Sequence, residues 1–258
     1  MKAQEQARAF MTIFRKEIRR FLRIWVQTLI PPVITMVLYF LIFGQLIGQR
    51  IGQMGGVDYM SFVVPGLIMM AVINNAYSNV VSSFYSAKFT KSVEELLVSP
   101  TPNYVILLGY VAGGIARGLA VGAIVTAVAL FFTPVHIDNI GLTVLVVFLT
   151  AFLFASAGLV NAIYANSFDD ISIIPTFVLT PLTYLGGVFF AVDALPGVWQ
   201  NVTYANPILY LVSTFRYGIL GGQAEVNVLA SIFGIMVFVA GVFAYAMYLL
   251  SRGKKLRT

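Results

Sequence analysis

Six stretches of this chain, about 24–47, 60–87, 104–132, 140–164, 171–192 and 226–250, are apolar and long enough to cross a bilayer. A hydrocarbon core of ~30 Å takes roughly 20 helical residues. Backbone inside hydrocarbon must satisfy its own hydrogen bonds, so runs of this length read as helices. The chain has 258 residues, 59% of them hydrophobic and 10% charged, and a soluble core could not hide that much apolar surface. An all-α membrane protein follows, with one membrane domain over 1–258 and almost no soluble mass.

Charge orients it. Lys2, Arg8, Arg15, Lys16, Arg19, Arg20 and Arg23 precede the first run, Lys88 and Lys91 follow the second, and Arg252, Lys254, Lys255 and Arg257 follow the last. Both termini and the 88–102 loop are therefore expected in the cytoplasm, with Arg50 and Arg216 outside and Arg117 within a span. That gives six spans with N-in, C-in topology: spans one to five over 24–192, an external segment over 193–225, span six over 226–250 and a tail over 251–258. The segment 204–222 is too short and carries Arg216, so it reads as a re-entrant or interfacial piece of the outer face. The net charge of +6 is concentrated at the membrane-flanking segments, which points to headgroups rather than nucleic acid. The absence of cysteine excludes disulfides and thiolate chemistry.

Residues 1–23 form an amphipathic helix, with Phe10, Phe14, Ile18, Phe21 and Trp25 on one stripe and Arg8, Thr12, Arg15, Arg19 and Arg23 on the other. A basic amphipathic helix beside a span is expected to lie at the membrane interface. Pro31 and Pro32 should bend span one. Span two carries a polar stripe that includes Asn75, Asn79 and Ser82, open to two readings: hydrogen bonds between helices, or a wet pathway. In span three, Gly109 and Gly113 face one side and Gly114, Gly118 and Gly122 another, so it should pack closely against two neighbours. Arg117 lies between these rows. An arginine at that depth must face protein or water, and either structural pairing or contact with a substrate accounts for it. Pro175 and Pro181 break span five, and Asp169-Asp170 suit its N-cap.

No glycine-rich phosphate loop is present, every Asp and Glu lies at a span end or in a loop, and no nucleophile–base pair or metal cluster stands out. A transporter with these letters needs an external motor, and no cofactor is expected in this chain. The stretch KFTKSVEELLVSPTP at 88–102 concentrates charge in the largest cytoplasmic loop. Ser92 and Glu95 have capping-box spacing, and Pro100 ends the helix early. This short helix is the candidate contact with a cytoplasmic ATPase, using Ser92, Glu94, Glu95, Leu96 and Leu97.

The chain resembles the ABC-2 type transporter permeases, the membrane subunits of bacterial ABC exporters. The resemblance rests on RIWVQTLIPPVITMVLYF, VPGLIMM and EELLVSPTP, and in the C-terminal third on FDDISIIPTFVLTPLTYLGGVFF, LPGVWQ, ANPILY and FRYGILGG. It implies a homodimer of six-span subunits in the inner membrane, with two ATPase subunits beneath that bind ATP and Mg. It also implies a coupling helix on 92–99 and re-entrant helices on 194–222. The family signature falls on Pro181, Gly186, Gly187, Phe189, Pro196, Asn206, Pro207, Phe215 and Arg216, of which Pro181, Gly186, Gly187, Asn206, Pro207 and Arg216 are expected at an outer gate. Exported substrates of such proteins are drugs, lipids or polysaccharides. Two other classes stay open on the residues alone: a motorless channel or secondary carrier, and a non-transporting scaffold.

Overall fold

A computed structural model describes residues 2–222 and 224–253, so the basic positions expected at 254, 255 and 257 lie outside it. The chain is mostly helical. Among the described residues, five helical rods are long and apolar enough to cross a membrane: Trp25–Ile51, Tyr59–Phe89, Asn103–Ala129, Ile140–Tyr164 and Val228–Arg252.

Helix α1 (Ala3–Arg23) precedes the first rod. That rod is composite: α2 (Trp25–Thr28), α3 (Ile30–Tyr39), a π-helical stretch Phe40–Ile47 and α4 (Gly48–Ile51). The expected bend falls at Leu29, just before Pro31 and Pro32, which occupy the first turn of α3, where a missing N–H costs nothing. A two-stranded antiparallel hairpin, β1 (Gln53–Met54) and β2 (Val57–Asp58), turns through Gly55 and Gly56, both with positive φ. Asp58 then caps α5 (Tyr59–Phe89), its carboxylate accepting from the Met60 amide at 3.0 Å.

Helix α5 is the axis of the molecule and is buried along nearly its whole length. It lies between α7 (Asn103–Ala129) and α8 (Ile140–Tyr164). Glycines set the spacing on both sides. A Cβ added at Gly114 would approach Val80 Cγ2 to 2.5 Å, one at Gly122 would approach Val72 Cγ2 to 2.7 Å, and one at Gly158 would approach the Tyr77 carbonyl to 2.6 Å. The second row, Gly109 and Gly113, meets Ile13 and Glu17 of α1 at 2.6 and 2.4 Å on the same construction. The two neighbours of span three are therefore α5 and α1, and α1 keeps step with α7 over that turn. The arginine-bearing stripe of α1 is exposed as expected, but its buried stripe is Ile13, Glu17 and Phe21, with Phe10, Phe14 and Ile18 beside it and Trp25 exposed at the start of α2.

The run at 171–192 departs from a continuous span. Helix α9 (Asp170–Ile174), a π-helical stretch Pro175–Leu179 and α10 (Thr180–Tyr184) make a rod of three five-residue pieces, about 22 Å long at 1.5 Å per residue. Pro175 and Pro181 each remove a backbone donor, which accounts for the irregular ladder, and Gly187 at φ +71° takes the chain out of the helix. A 3₁₀ turn (Val192–Ala194), α11 (Gly197–Tyr204) and α12 (Pro207–Leu220) follow, before α13 (Val228–Arg252) runs back. At 14 residues, α12 is too short to cross a bilayer. Helix α6 (Ser92–Val98) marks one end of the bundle. The hairpin, the 130–139 loop and α11–α12 gather at the far end, where the Asp138 amide donates to the Ile219 carbonyl at 3.1 Å.

Candidate functional site

Three clusters hold the residues singled out above. The first is a buried polar cluster where α1 meets α5 and α7. Glu17 is fully buried and is admitted because Gly113 leaves no Cβ in its way. Ser83 Oγ donates to Glu17 Oε1 at 2.7 Å, while Arg20 Nε lies 3.5 Å from Glu17 Oε2. Arg20 also donates through Nη2 to the Asn79 carbonyl at 2.7 Å and to Asn79 Oδ1 at 3.0 Å, and through Nη1 to Ser82 Oγ at 3.4 Å. Lys16 Nζ donates to the Tyr110 hydroxyl at 3.2 Å. Further along, Arg117 donates to Asn75 Oδ1 at 3.1 Å and to the Thr28 carbonyl at 3.3 Å. Asn75, Asn79 and Ser82 thus each accept from an arginine of a neighbouring helix. Arg117 has found a carbonyl and an amide oxygen rather than an acid. Glu17, Arg20, Ser83, Lys16 and Tyr110 escaped sequence reasoning. The available signal was the spacing of Ile13, Glu17 and Phe21, which places the acid on an otherwise apolar stripe.

The second cluster lies at the far end and holds the six residues expected at an outer gate. Asn206 caps α12, its Oδ1 accepting from the Ile208 amide at 3.0 Å, and its Nδ2 donates to the Leu182 carbonyl at 2.6 Å. Pro207 occupies the first turn of α12, and Pro181 that of α10. Gly186 and Gly187 give room to Ile208 and Leu209. Arg216 is buried and three-way bonded: Nε to the Phe62 carbonyl at 3.1 Å, Nη2 to the Gly187 carbonyl at 2.5 Å and Nη1 to Glu225 Oε2 at 3.1 Å. Its guanidinium also stacks on the Phe62 ring. One side chain therefore fastens α12 to the start of α5 and to the turn after α10. Phe62 and Glu225 were not legible as its partners, because only the fold brings them there.

The third cluster surrounds α6. Ser92 does not cap. Lys91, at φ +60°, stands at the cap position, and Ser92 Oγ donates to the Ala87 carbonyl at 3.2 Å. The left-handed Lys91 turns α6 away from α5, and that turn replaces the expected capping box. Val93 is buried, Leu96 and Leu97 rest half-buried on the protein's own core, and Glu94 is half-buried. What α6 presents outward is Glu95 and Val98, the latter 83% exposed, with Phe89 and Phe168 bare beside it. The Phe89 and Phe168 rings meet edge to face at 5.2 Å. Lys88 Nζ donates to the Ile163 and Ala165 carbonyls at 2.8 and 2.7 Å, capping α8 and binding the last turn of α5 to the 165–169 loop. Asp169 makes no side-chain cap bond. Asp170 instead accepts from the Asn166 amide at 2.8 Å and from the Ser167 hydroxyl and amide at 2.8 and 3.2 Å. These donors hold its carboxyl below the usual carboxylate range, the Asn166 amide foremost.

Five apolar rods, an axial helix and two polar fastenings define a multi-pass membrane protein, and the family model for ABC-2 type transporters matches residues 8–220. The chain belongs to that family. Among its relatives, the inner membrane transport permease YadH of Escherichia coli (strain K12) is 56% identical over 250 residues, 97% of each chain. The protein of the same name in Shigella flexneri is equally similar. Nodulation protein J of Sinorhizobium fredii (strain NBRC 101917 / NGR234) is 26% identical over 201 residues, 76% of this chain and 77% of its own.

Proposed function

We propose that this chain is the membrane-spanning permease subunit of an ABC exporter in the bacterial inner membrane. It forms the translocation pathway as a homodimer, and a separate cytoplasmic ATPase, which binds ATP and Mg, drives it. Family membership and the name of the YadH relative support transport and the inner membrane. The observation that carries the coupling is the α6 end, where Val98 of the short helix, Phe89 at the end of α5 and Phe168 of the neighbouring loop are exposed, and Lys88 of α5 ties that loop down. Apolar side chains held rigidly at a water-facing end are what a partner protein needs for an anchor.

In this reading the α6 end is cytoplasmic and both termini lie inside. The rod from Asp170 to Tyr184 continues through its turns as the fifth of six membrane segments, and α11–α12 re-enter from the outer face. Arg8, Arg15, Arg19 and Arg23 of α1 meet anionic headgroups. Arg216 and its neighbours form the outer closure. The test is co-purification from the native membrane with a phosphate-loop ATPase, followed by ATP hydrolysis in lipid vesicles. Hydrolysis that rises on reconstitution with this chain is expected. A chain that purifies without an ATPase and conducts solute unaided would replace the reading with a channel or carrier.

A further inference from the structure

A slot of about 400 Å³ runs between α8, α12 and α13 at the end that carries α11. Its floor is Leu153, Leu211 and Ile235, exposed by only 2%, 1% and 6%. Its lip on α13 is low at Gly234, where a Cβ would meet nothing within 4 Å, and high at Phe238. Along α13 the slot extends from Asn227 to Phe238, which is about 16 Å at 1.5 Å per residue. Spread over that length, the volume, which is room for the centres of water-sized spheres, gives a cross-section of about 25 Å² for atom centres.

That cross-section decides the occupant. A helix from a second copy, ~10 Å across with its side chains, cannot enter. Water has too few polar partners on such walls to be held there. A single hydrocarbon chain, whose atoms stand ~4 Å from their neighbours, fits lengthwise. The polar end of the slot agrees. Asn227 and Tyr210 line it, the Tyr210 hydroxyl donates to the Tyr204 carbonyl at 2.8 Å, and Trp199 and Tyr204 are exposed close by on α11. Aromatic and amide groups of this kind mark the level of headgroups.

We propose that the slot holds one acyl chain of a membrane phospholipid, its headgroup at the Asn227–Tyr210 rim and its chain wedged behind α12. The chain fills the side of α12 opposite the Arg216 fastening, so the short helix is held from both sides.

The test uses the full chain in vesicles of phosphatidylethanolamine that carries a diazirine within one acyl chain, with adducts mapped by mass spectrometry. Adducts on Leu153, Leu211 and Ile235 are expected, although these floor residues are closed to the bilayer at large. Gly234→Leu should abolish them and leave labelling of the exposed Phe177 unchanged. Ala230→Leu blocks the same slot from the next turn and serves if the first variant fails to assemble. Floor residues left unlabelled while Phe177 reacts, or floor adducts that persist in both variants, would overturn the proposal. So would efficient disulfide formation between two copies through Gly234→Cys, because a second copy would then cover the slot.

Discussion

Glu17 is the residue on which most depends. A carboxylate without exposure needs donors and countercharge: Ser83 donates to Glu17 Oε1, and Arg20 and Lys16 stand 3.5 and 3.9 Å away as countercharges, while Oε2 has no hydrogen-bond partner among the described residues. Glu17→Leu would leave Arg20 and Ser83 facing an apolar side chain, at a cost of about 2 kcal/mol, less than a fully buried pair because Arg20 keeps some solvent. A clear drop in Tm in detergent is expected, against no change for the exposed Arg8→Leu. Arg117 differs in sign. Leucine there removes an insertion cost of roughly 2.5–3.5 kcal/mol, yet strands the Thr28 carbonyl and Asn75, at about 1–3 kcal/mol. The terms nearly cancel, so Arg117→Leu should keep its Tm while hydrogen exchange around Thr28 rises. Unchanged exchange there would show that the seat of α2 against α7 does not depend on Arg117.

Elements were more legible than partners. Apolar length gave five rods directly, because hydrocarbon imposes one length scale on every crossing helix. Glycine spacing gave two packed faces of α7, although the letters could not say that α1 would occupy one of them. The 171–192 run looked as apolar as the others, and length alone cannot foresee how two prolines and a left-handed glycine divide it. Arg216 was legible as a special position, but Phe62 and Glu225 lie far away or beyond a turn. In α6 the helix was legible, but not how far its leucines are tucked against the bundle. Leu96 and Leu97 rest half-buried against the protein's own core, so Leu96→Ala should lower Tm. Glu95→Lys with Val98→Ala should leave Tm alone and weaken capture of the ATPase in a pull-down. If the pair of surface changes left capture intact, docking would have to use another surface.

For the whole molecule, topology is the claim on which the proposed pathway stands. Connectivity puts α6 and the 165–169 loop at one end, and the hairpin, the 130–139 loop and α12 at the other. In the proposed reading, segregation of Lys and Arg puts the first end in the cytoplasm. Cysteines introduced at Ser92 and at Asn139 should divide cleanly: in intact cells an impermeant maleimide reacts at position 139 only, and membrane rupture exposes position 92. Labelling at position 92 before rupture would invert the molecule.

Helix α5 has 31 residues, about 46 Å of rod against a hydrocarbon layer of ~30 Å, so it must tilt or stand clear of the lipid at its ends. From Gly66 to Phe89 it is a stiff shaft, and its one internal proline, Pro65, lies just beneath Phe62, whose carbonyl holds Arg216. A push on the shaft beside α6 has one continuous helix to travel along, and the tip it reaches is the one fastened to α12 through Arg216.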